Sequence, residues 1–195
     1  MKHFLLVVLF VLGIQSWTKA DDIRDFEIEG ISIGDSVLEY FSEKKIKENT
    51  WDYFKNKEFT PLQFDNPPFA KTYDAIDIQY KTEDKNYKIE GLSGIILYRD
   101  KSKIKDCYKK MDNILSEIRS LFSNLYETEK DVSPHPGTED DGKSTVTSVY
   151  FEFQNKDAIA IQCYDYSVEA GDVNHLRISV NSYDYRIFLS EKAYN

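Results

Sequence analysis

The sequence contains only two cysteines and three histidines, and one of these histidines, His3, lies near the amino terminus. No Cys-x-x-Cys or His-x-x-x-His pair occurs, and the acidic clusters lack the alternating Asp spacing of a calcium loop. Its eight glycines form neither a dinucleotide-binding nor a phosphate-binding motif. The sequence therefore predicts no metal site and no cofactor.

Basic residues are in the minority as well. The chain has 25 lysines and arginines against 34 acidic residues, a formal net charge of -9. Because binding to a phosphate backbone needs clustered cations, this balance argues against a nucleic-acid partner. It argues equally against an anionic membrane surface. We expect a partner of another kind: a protein, a peptide or a glycan.

No apolar run of the sequence is long enough to span a bilayer. The longest, residues 4–14, follows Lys2 and has the length of a signal-peptide core. Cleavage is expected after Ala20, a small residue; cleavage after Ser16 and an uncleaved amino-terminal anchor are the alternatives. Removal of the signal peptide would leave a periplasmic or secreted chain without a membrane-inserted segment.

Residues 21–195 are predicted to form a single α+β domain that follows a signal peptide over 1–20. Apolar residues recur at three- and four-residue spacing over 101–125, which predicts one long helix. Alternating apolar residues predict an antiparallel sheet of about five strands, with the long helix packed on its apolar face. The predicted strands begin near Ala75, Tyr87, Val149, Ile159 and Leu176.

Three other segments carry local signals. Ser36 and Glu39 have the spacing of a capping box. In this motif the serine oxygen accepts a backbone N–H of the first turn, and the glutamate carboxylate accepts the N–H of the serine. The pair therefore predicts a short helix over 36–48. Prolines argue against regular structure over 49–73, yet its aromatic content predicts an irregular segment wrapped over the core. Residues 127–144 are acidic and rich in proline and glycine, which predicts a mobile loop.

Cys107 falls on the apolar stripe of the predicted long helix, and Cys163 falls on the inward face of a predicted strand. Both side chains should therefore enter the same layer of the core. Because an exported chain meets an oxidising compartment, we predict a Cys107–Cys163 disulfide. Two buried free thiols that pack as small apolar groups are the alternative.

The tripeptide Gly-Asp-Ser at 34–36 resembles the nucleophile block of the GDSL esterases, and 172–175 resembles that family's Asp-x-x-His block. The resemblance implies Ser36 as nucleophile, His175 as general base and Asp172 as the group that orients the imidazole. Against it, the family's Gly-x-Asn-Asp block is missing, the predicted hairpins do not suit a parallel sheet, and helix capping already explains Ser36. We therefore predict no catalytic residues and keep the hydrolase as the alternative.

Aromatic–Asp–aromatic tripeptides recur at 51–53, 164–166 and 183–185. On strands, the last two would place their tyrosines on the polar face of the sheet, where tyrosine offers a rigid apolar surface with a polar tip. Ordinary cross-strand packing, or cover by residues 49–73, is the alternative. The candidate ligand-binding residues are Tyr150, Tyr164, Tyr166, Arg177, Tyr183 and Tyr185.

The segment FEIEGISIGDSVLEYF at 26–41 resembles the opening of uncharacterised small exported bacterial proteins. This resemblance implies an exported bacterial chain and brings no known activity with it. Together these observations predict a non-enzymatic binding or envelope-associated module, with an exported GDSL-like serine hydrolase as the alternative.

Overall fold

A computed structural model describes residues 22–122, 124–135 and 138–195. The signal peptide predicted over 1–20 lies outside the described residues. Eight strands form one antiparallel sheet: β1 (Phe59–Asp65), β2 (Ala75–Lys81), β3 (Ile89–Tyr98), β4 (Tyr126–Glu127), β5 (Asp131–Pro134), β6 (Thr145–Glu152), β7 (Ala158–Asp165) and β8 (Asn174–Asn181). The α+β class and the antiparallel sheet are confirmed.

In the described ranges three α-helices accompany the sheet: α1 (Glu43–Glu48), α2 (Ile104–Leu121) and α3 (Tyr183–Glu191). Short 3₁₀ turns occur at Ile23–Asp25, Val37–Glu39 and Lys101–Lys103. Within the described ranges, no helix combines the length and the apolar character that a membrane crossing requires.

The strand order is β1-β2-β3-β8-β7-β6-β4, and β5 also pairs with β6. The prediction of about five strands was therefore wrong, because β1, β4 and β5 were missed. β1 lies inside the segment predicted to be irregular and contains Pro61, which is tolerated because β1 is the edge strand and needs no outward N–H at that residue. β4 and β5 fall at the predicted loop 127–144 and are mostly exposed, so they carry no buried alternation to reveal them.

The apolar face of the sheet is formed by cross-strand rows of buried side chains, such as Ile78, Leu92, Val180, Ile159 and Phe151. Helix α2 packs on this face across β7 and β8. Its buried stripe includes Met111, Ile114 and Ile118, as the periodicity predicted. The helix ends at Leu121, earlier than predicted, because Phe122 becomes extended and enters the core.

The predicted disulfide is confirmed, with the sulfur atoms of Cys107 and Cys163 2.00 Å apart. Both residues are fully buried, and the bond joins α2 to β7. The bond closes a sequence separation of 56 residues, for which the chain-entropy model gives about 4 kcal/mol of stabilisation.

The helix predicted over 36–48 is divided in two. Ser36 caps the 3₁₀ turn at Val37–Glu39 with a complete capping box, as predicted. Ser42 then adopts an extended backbone and caps α1 by accepting from the Lys45 N–H. The apolar spacing alone predicts one helix, but the second cap at Ser42 divides the segment into two.

The opposite face of the sheet, here called the polar face, carries Asp77, Ser93, Gln162, Arg177 and Ser179. Helix α3 lies over one end of this face. Ser182 caps the start of α3, and its hydroxyl accepts from the Tyr185 N–H. A separate aromatic cluster holds α3 there: Phe54, Phe59, Tyr185, Phe188 and Ala193, packed against Leu189.

Candidate functional site

A pocket of about 540 Å³ lies on the polar face, between α3 and strands β3, β8, β7 and β6. Its volume falls within the range of about 300–1,000 Å³ typical of small-molecule sites. We call it the tyrosine pocket, because its wall carries Tyr53, Tyr150, Tyr164, Tyr183, Tyr185 and Tyr194.

The floor of the tyrosine pocket is a row of small side chains. Ser93, Ser179 and Ala160 are direct cross-strand partners on β3, β8 and β7. The same row continues to Asp77 on β2 at one end and to Tyr150 on β6 at the other. The small side chains in the middle of the row leave a depression in the sheet surface beside Tyr150.

Arg177 supplies the main buried cation of the site. Its Nη2 atom lies 2.9 Å from Oδ2 of Asp77, with the side chains 27% and 10% exposed. Burial raises the pKa of the Asp77 carboxyl above its ordinary value, although Arg177 opposes that shift. The pair forms a salt bridge that reaches across β3 and leaves part of the guanidinium facing the pocket.

Several polar atoms of this face have no hydrogen-bond partner among the described residues. They include Nε of Arg177, Oδ1 of Asp77 and Oδ1 of Asn181. Arg177 and Asn181 both line the tyrosine pocket. A buried polar atom without a partner costs about 1–3 kcal/mol, so a native structure needs a reason to keep one.

The tyrosines of the wall differ in exposure and in partners. Tyr53, Tyr150, Tyr183 and Tyr194 are 45%, 37%, 45% and 58% exposed, so each presents ring surface to solvent. The hydroxyl of Tyr164 donates to Gln162 Oε1 at 3.3 Å, and Gln162 Nε2 donates to Ser148 Oγ at 3.1 Å. Burial raises the pKa of Tyr53 and Tyr164, so both hydroxyls keep their protons near neutral pH.

Helix α3 places Tyr183 and Tyr185 in the wall. The prediction that both lie on a strand was wrong, since Ser182 caps a helix directly before them. Arg186, one residue further on, forms a 3.1 Å ion pair with Glu152 on β6 and donates to the Lys156 carbonyl. These contacts anchor α3 to the far side of the pocket.

The structure therefore gathers most of the predicted ligand-binding residues. Five of the six candidates line the tyrosine pocket: Tyr150, Tyr164, Arg177, Tyr183 and Tyr185. Tyr166 does not; its hydroxyl lies 3.3 Å from Nε2 of His135 instead.

Other lining residues, among them Gln79, Tyr53 and Tyr194, were not among the predicted candidates. Gln79 occupies a polar position of β2, where alternation with apolar residues could have revealed it. Tyr53 and Tyr194 come from segments without regular structure, and no local pattern places them beside the sheet.

The three residues of the hydrolase alternative are not brought together. Ser36 forms a bridge with Lys88, just before β3, whereas His175 pairs with Leu97 near the other end of that strand. Nine residues of strand separate these points, roughly 30 Å at about 3.3 Å per residue. The Ser36 hydroxyl donates to the Asn86 carbonyl at 2.6 Å.

His175 and Asp172 have other partners. The His175 ring stacks on Tyr164 with centroids 4.3 Å apart, and its Nδ1 lies 3.0 Å from the Val173 carbonyl. Burial lowers the pKa of His175 to about 4. The carbonyl of Asp172 accepts from Lys101 Nζ at 3.2 Å. In the part of the chain that is described, no group of three His, Cys, Asp or Glu side chains is placed to hold a metal.

Comparison with known proteins found no matching family model, no matching curated protein and no matching solved structure. The function is therefore inferred from the chemistry of the site.

Proposed function

We propose that this chain is an exported, non-enzymatic binding module that takes a polar ligand in the tyrosine pocket. The observation that carries the proposal is the Arg177 guanidinium, which pairs with Asp77 through Nη2 and lines a pocket walled by tyrosines. A cation held in place by an ion pair and flanked by tyrosine rings suits a polar ligand that carries acceptor groups.

The pocket offers binding groups and lacks the pairs that nucleophilic catalysis needs. The hydroxyls of Ser93 and Ser179 hydrogen-bond to each other at 2.9 Å. Neither hydroxyl has a histidine or carboxylate partner within the described ranges, so neither is activated as a nucleophile. The tyrosine hydroxyls, the amides and the guanidinium instead form a fixed set of donors and acceptors around apolar rings.

The Cys107–Cys163 disulfide supports the exported part of the proposal, because disulfides persist in oxidising compartments. The amino-terminal sequence supports it independently, through the basic start and the apolar run over 4–14.

The proposal is tested by ¹⁹F NMR on protein labelled with 3-fluorotyrosine. The probes are neutral sugars, amino acids, dipeptides, nucleosides and small dicarboxylates at millimolar concentration. We expect one class to shift the resonances of Tyr150 and Tyr183 and to leave Tyr126 unchanged. Tyr126 is the internal control, because it is 70% exposed and lies on the edge strand β4 outside the pocket.

Two variants are compared. The first is the double substitution Arg177→Gln/Asp77→Asn, which removes both charges of the buried pair. The second is Arg119→Gln, which breaks the exposed Arg119–Glu127 pair. The first should abolish the shifts and the second should preserve them. Shifts that persist in the Arg177→Gln/Asp77→Asn protein, or a panel that leaves every pocket tyrosine unchanged, would overturn the proposal.

A further inference from the structure

A second pocket of about 670 Å³ adjoins the tyrosine pocket on the polar face. Its outer side is formed by Ser133 and His135, at and just after β5, and its floor includes Val146 and Ser148 of β6. We call it the outer pocket. The two pockets share part of their lining: Tyr150, Gln162, Tyr164 and Tyr194.

Together the pockets form a groove that runs across the strands. It extends from Ser93 on β3, over β8, β7 and β6, to Ser133 on β5. Four interstrand spacings of about 4.8 Å give it a length of roughly 19 Å. A ligand that fills the whole groove is therefore larger than one sugar ring or one amino acid.

The backbone under the groove is already fully used by the sheet. Strands β3, β8, β7 and β6 each have a hydrogen-bonded neighbour on both sides. An extended peptide recognised through its main chain needs a free sheet edge, and this groove lies on a sheet face. The groove can therefore recognise a ligand only through contacts with side chains.

The charges that line the groove are paired. Arg177 faces Asp77 at 2.9 Å, and Arg186 faces Glu152 at 3.1 Å. The outer pocket has no acidic, lysine or arginine side chain in its described lining, and burial lowers the pKa of His135, which favours its neutral form. With a net charge of -9 on the whole chain, nothing here attracts a polyanion.

The remaining side chains fit a neutral sugar. Tyrosine rings pack against apolar ring surface and keep a polar tip for hydrogen bonding. The polar lining of the tyrosine pocket includes a donor, the Arg177 guanidinium, and the amides of Gln162 and Asn181, which both donate and accept. A sugar hydroxyl both donates and accepts, so the hydroxyls along a sugar chain can pair with either kind of group.

We propose that the ligand is an uncharged oligosaccharide that occupies both pockets, with Tyr150 at the junction between them. This inference rests on the binding function proposed above and adds the class and the extended length of the ligand.

The test is isothermal titration calorimetry on the full mature chain with neutral oligosaccharides of one to six units. The probes are β-1,4-glucose, β-1,4-N-acetylglucosamine and α-1,4-glucose oligomers; galacturonate oligomers of equal length and a tetra-alanine peptide serve as comparisons. In at least one neutral series we expect the dissociation constant to fall at least tenfold between one and four units and then to level off.

Two variants locate the effect. Tyr150→Ala should remove most of the gain with length, because it alters the junction of the two pockets. Tyr126→Ala, at an exposed tyrosine outside the groove, should leave the length dependence unchanged. The same length dependence in Tyr150→Ala as in the unaltered chain would overturn the proposal.

Failure of this inference is distinguishable from failure of the proposed function. If another class of probe shifts the pocket tyrosines in the ¹⁹F experiment while no neutral oligosaccharide binds, the binding function stands and the oligosaccharide inference is wrong. Tighter binding of the acidic oligomers or of the peptide, or equal binding of monomer and hexamer, also overturns it. If no probe changes the pocket tyrosines and no oligosaccharide binds, both the binding function and the oligosaccharide inference are wrong.

Discussion

The ring of Tyr185 lies directly over Gly91. A Cβ atom built on Gly91 would be 2.5 Å from Tyr185 Cε1 and equally close to the side chain of Gln79. Glycine at this position therefore allows α3 to approach the sheet and to close one side of the tyrosine pocket.

Replacement of Gly91 by alanine should displace Tyr185 and α3. Overpacking of this kind costs about 1–3 kcal/mol, and we expect the ligand affinity of the pocket to fall with it. The matched control is Gly94→Ala, whose Cβ would meet the Tyr73 ring at 2.6 Å on the apolar face. Urea unfolding should show both variants destabilised, and only Gly91→Ala should change ligand binding. An equal effect of both variants on binding would contradict this role of Gly91.

Ser36 is expected to have structural roles only, as the cap of the 3₁₀ turn and as a donor to the Asn86 carbonyl. Its Oγ accepts from the Leu38 N–H, and the Ser36 N–H donates to Glu39 Oε1. Ser36→Ala should lower the free energy of unfolding by about 1–3 kcal/mol, because it removes both the cap and the hydrogen bond to the Asn86 carbonyl. A fluorophosphonate probe should label neither protein. Labelling of the unaltered chain that disappears in Ser36→Ala would revive the hydrolase alternative.

Lys101 ties the β7–β8 connection to the start of α2. Its Nζ donates to the carbonyls of Tyr166, Ser167 and Asp172 at 2.7, 2.8 and 3.2 Å. Lys101→Met should cost about 1–3 kcal/mol, because it leaves these acceptors without their charged donor. Hydrogen exchange measured by mass spectrometry should accelerate over 166–173. The control, Lys103→Met, changes an exposed neighbour, and similar acceleration there would argue against this role of Lys101.

His175 should make stability depend on pH. Burial lowers its pKa to about 4 in the folded chain, against about 6.5 when unfolded. Between these values the unfolded state binds more protons, so the free energy of unfolding decreases as the pH falls from 6.5 toward 4. This group should account for about 2–3 kcal/mol of that decrease, and its full contribution is present above pH 6.5.

The comparison uses His175→Phe, which keeps a ring against Tyr164 and removes the titration. Urea unfolding of both proteins at pH 7 and pH 4.5 isolates the histidine, since the acidic groups are common to both. The difference in stability between the two pH values should be smaller for the variant. Parallel pH profiles would show that His175 is not protected from protonation in the folded chain.

The parts of the fold with a strong local signal could be predicted from the sequence. The apolar spacing around Met111 defines α2, and the same spacing places Cys107 on the side that faces β7. The Ser36–Glu39 pair defines a cap, because its partners lie within three residues. In each case the determining contacts are short-range or follow one helical period.

The parts that were missed depend on contacts distant in sequence. β5 is exposed and becomes a strand only by pairing with β6. Tyr183 and Tyr185 fit a strand and a helix equally well over three residues, and Ser182 decides between them by capping α3. The pocket floor forms only because β8 lies between β3 and β7, which aligns Ser93, Ser179 and Ala160. The alternation of residues within one strand does not show which residues of the neighbouring strands lie beside them.

The central place of β8 has a consequence for how the chain assembles. The amino-terminal meander of β1, β2 and β3 meets the carboxy-terminal strands only through β8, the last strand in the sequence. Neither half can complete its hydrogen-bonded edge until residues 174–181 have been synthesised and inserted. A chain cut before residue 174 would therefore leave β3 and β7 as two separate open edges in place of one continuous sheet.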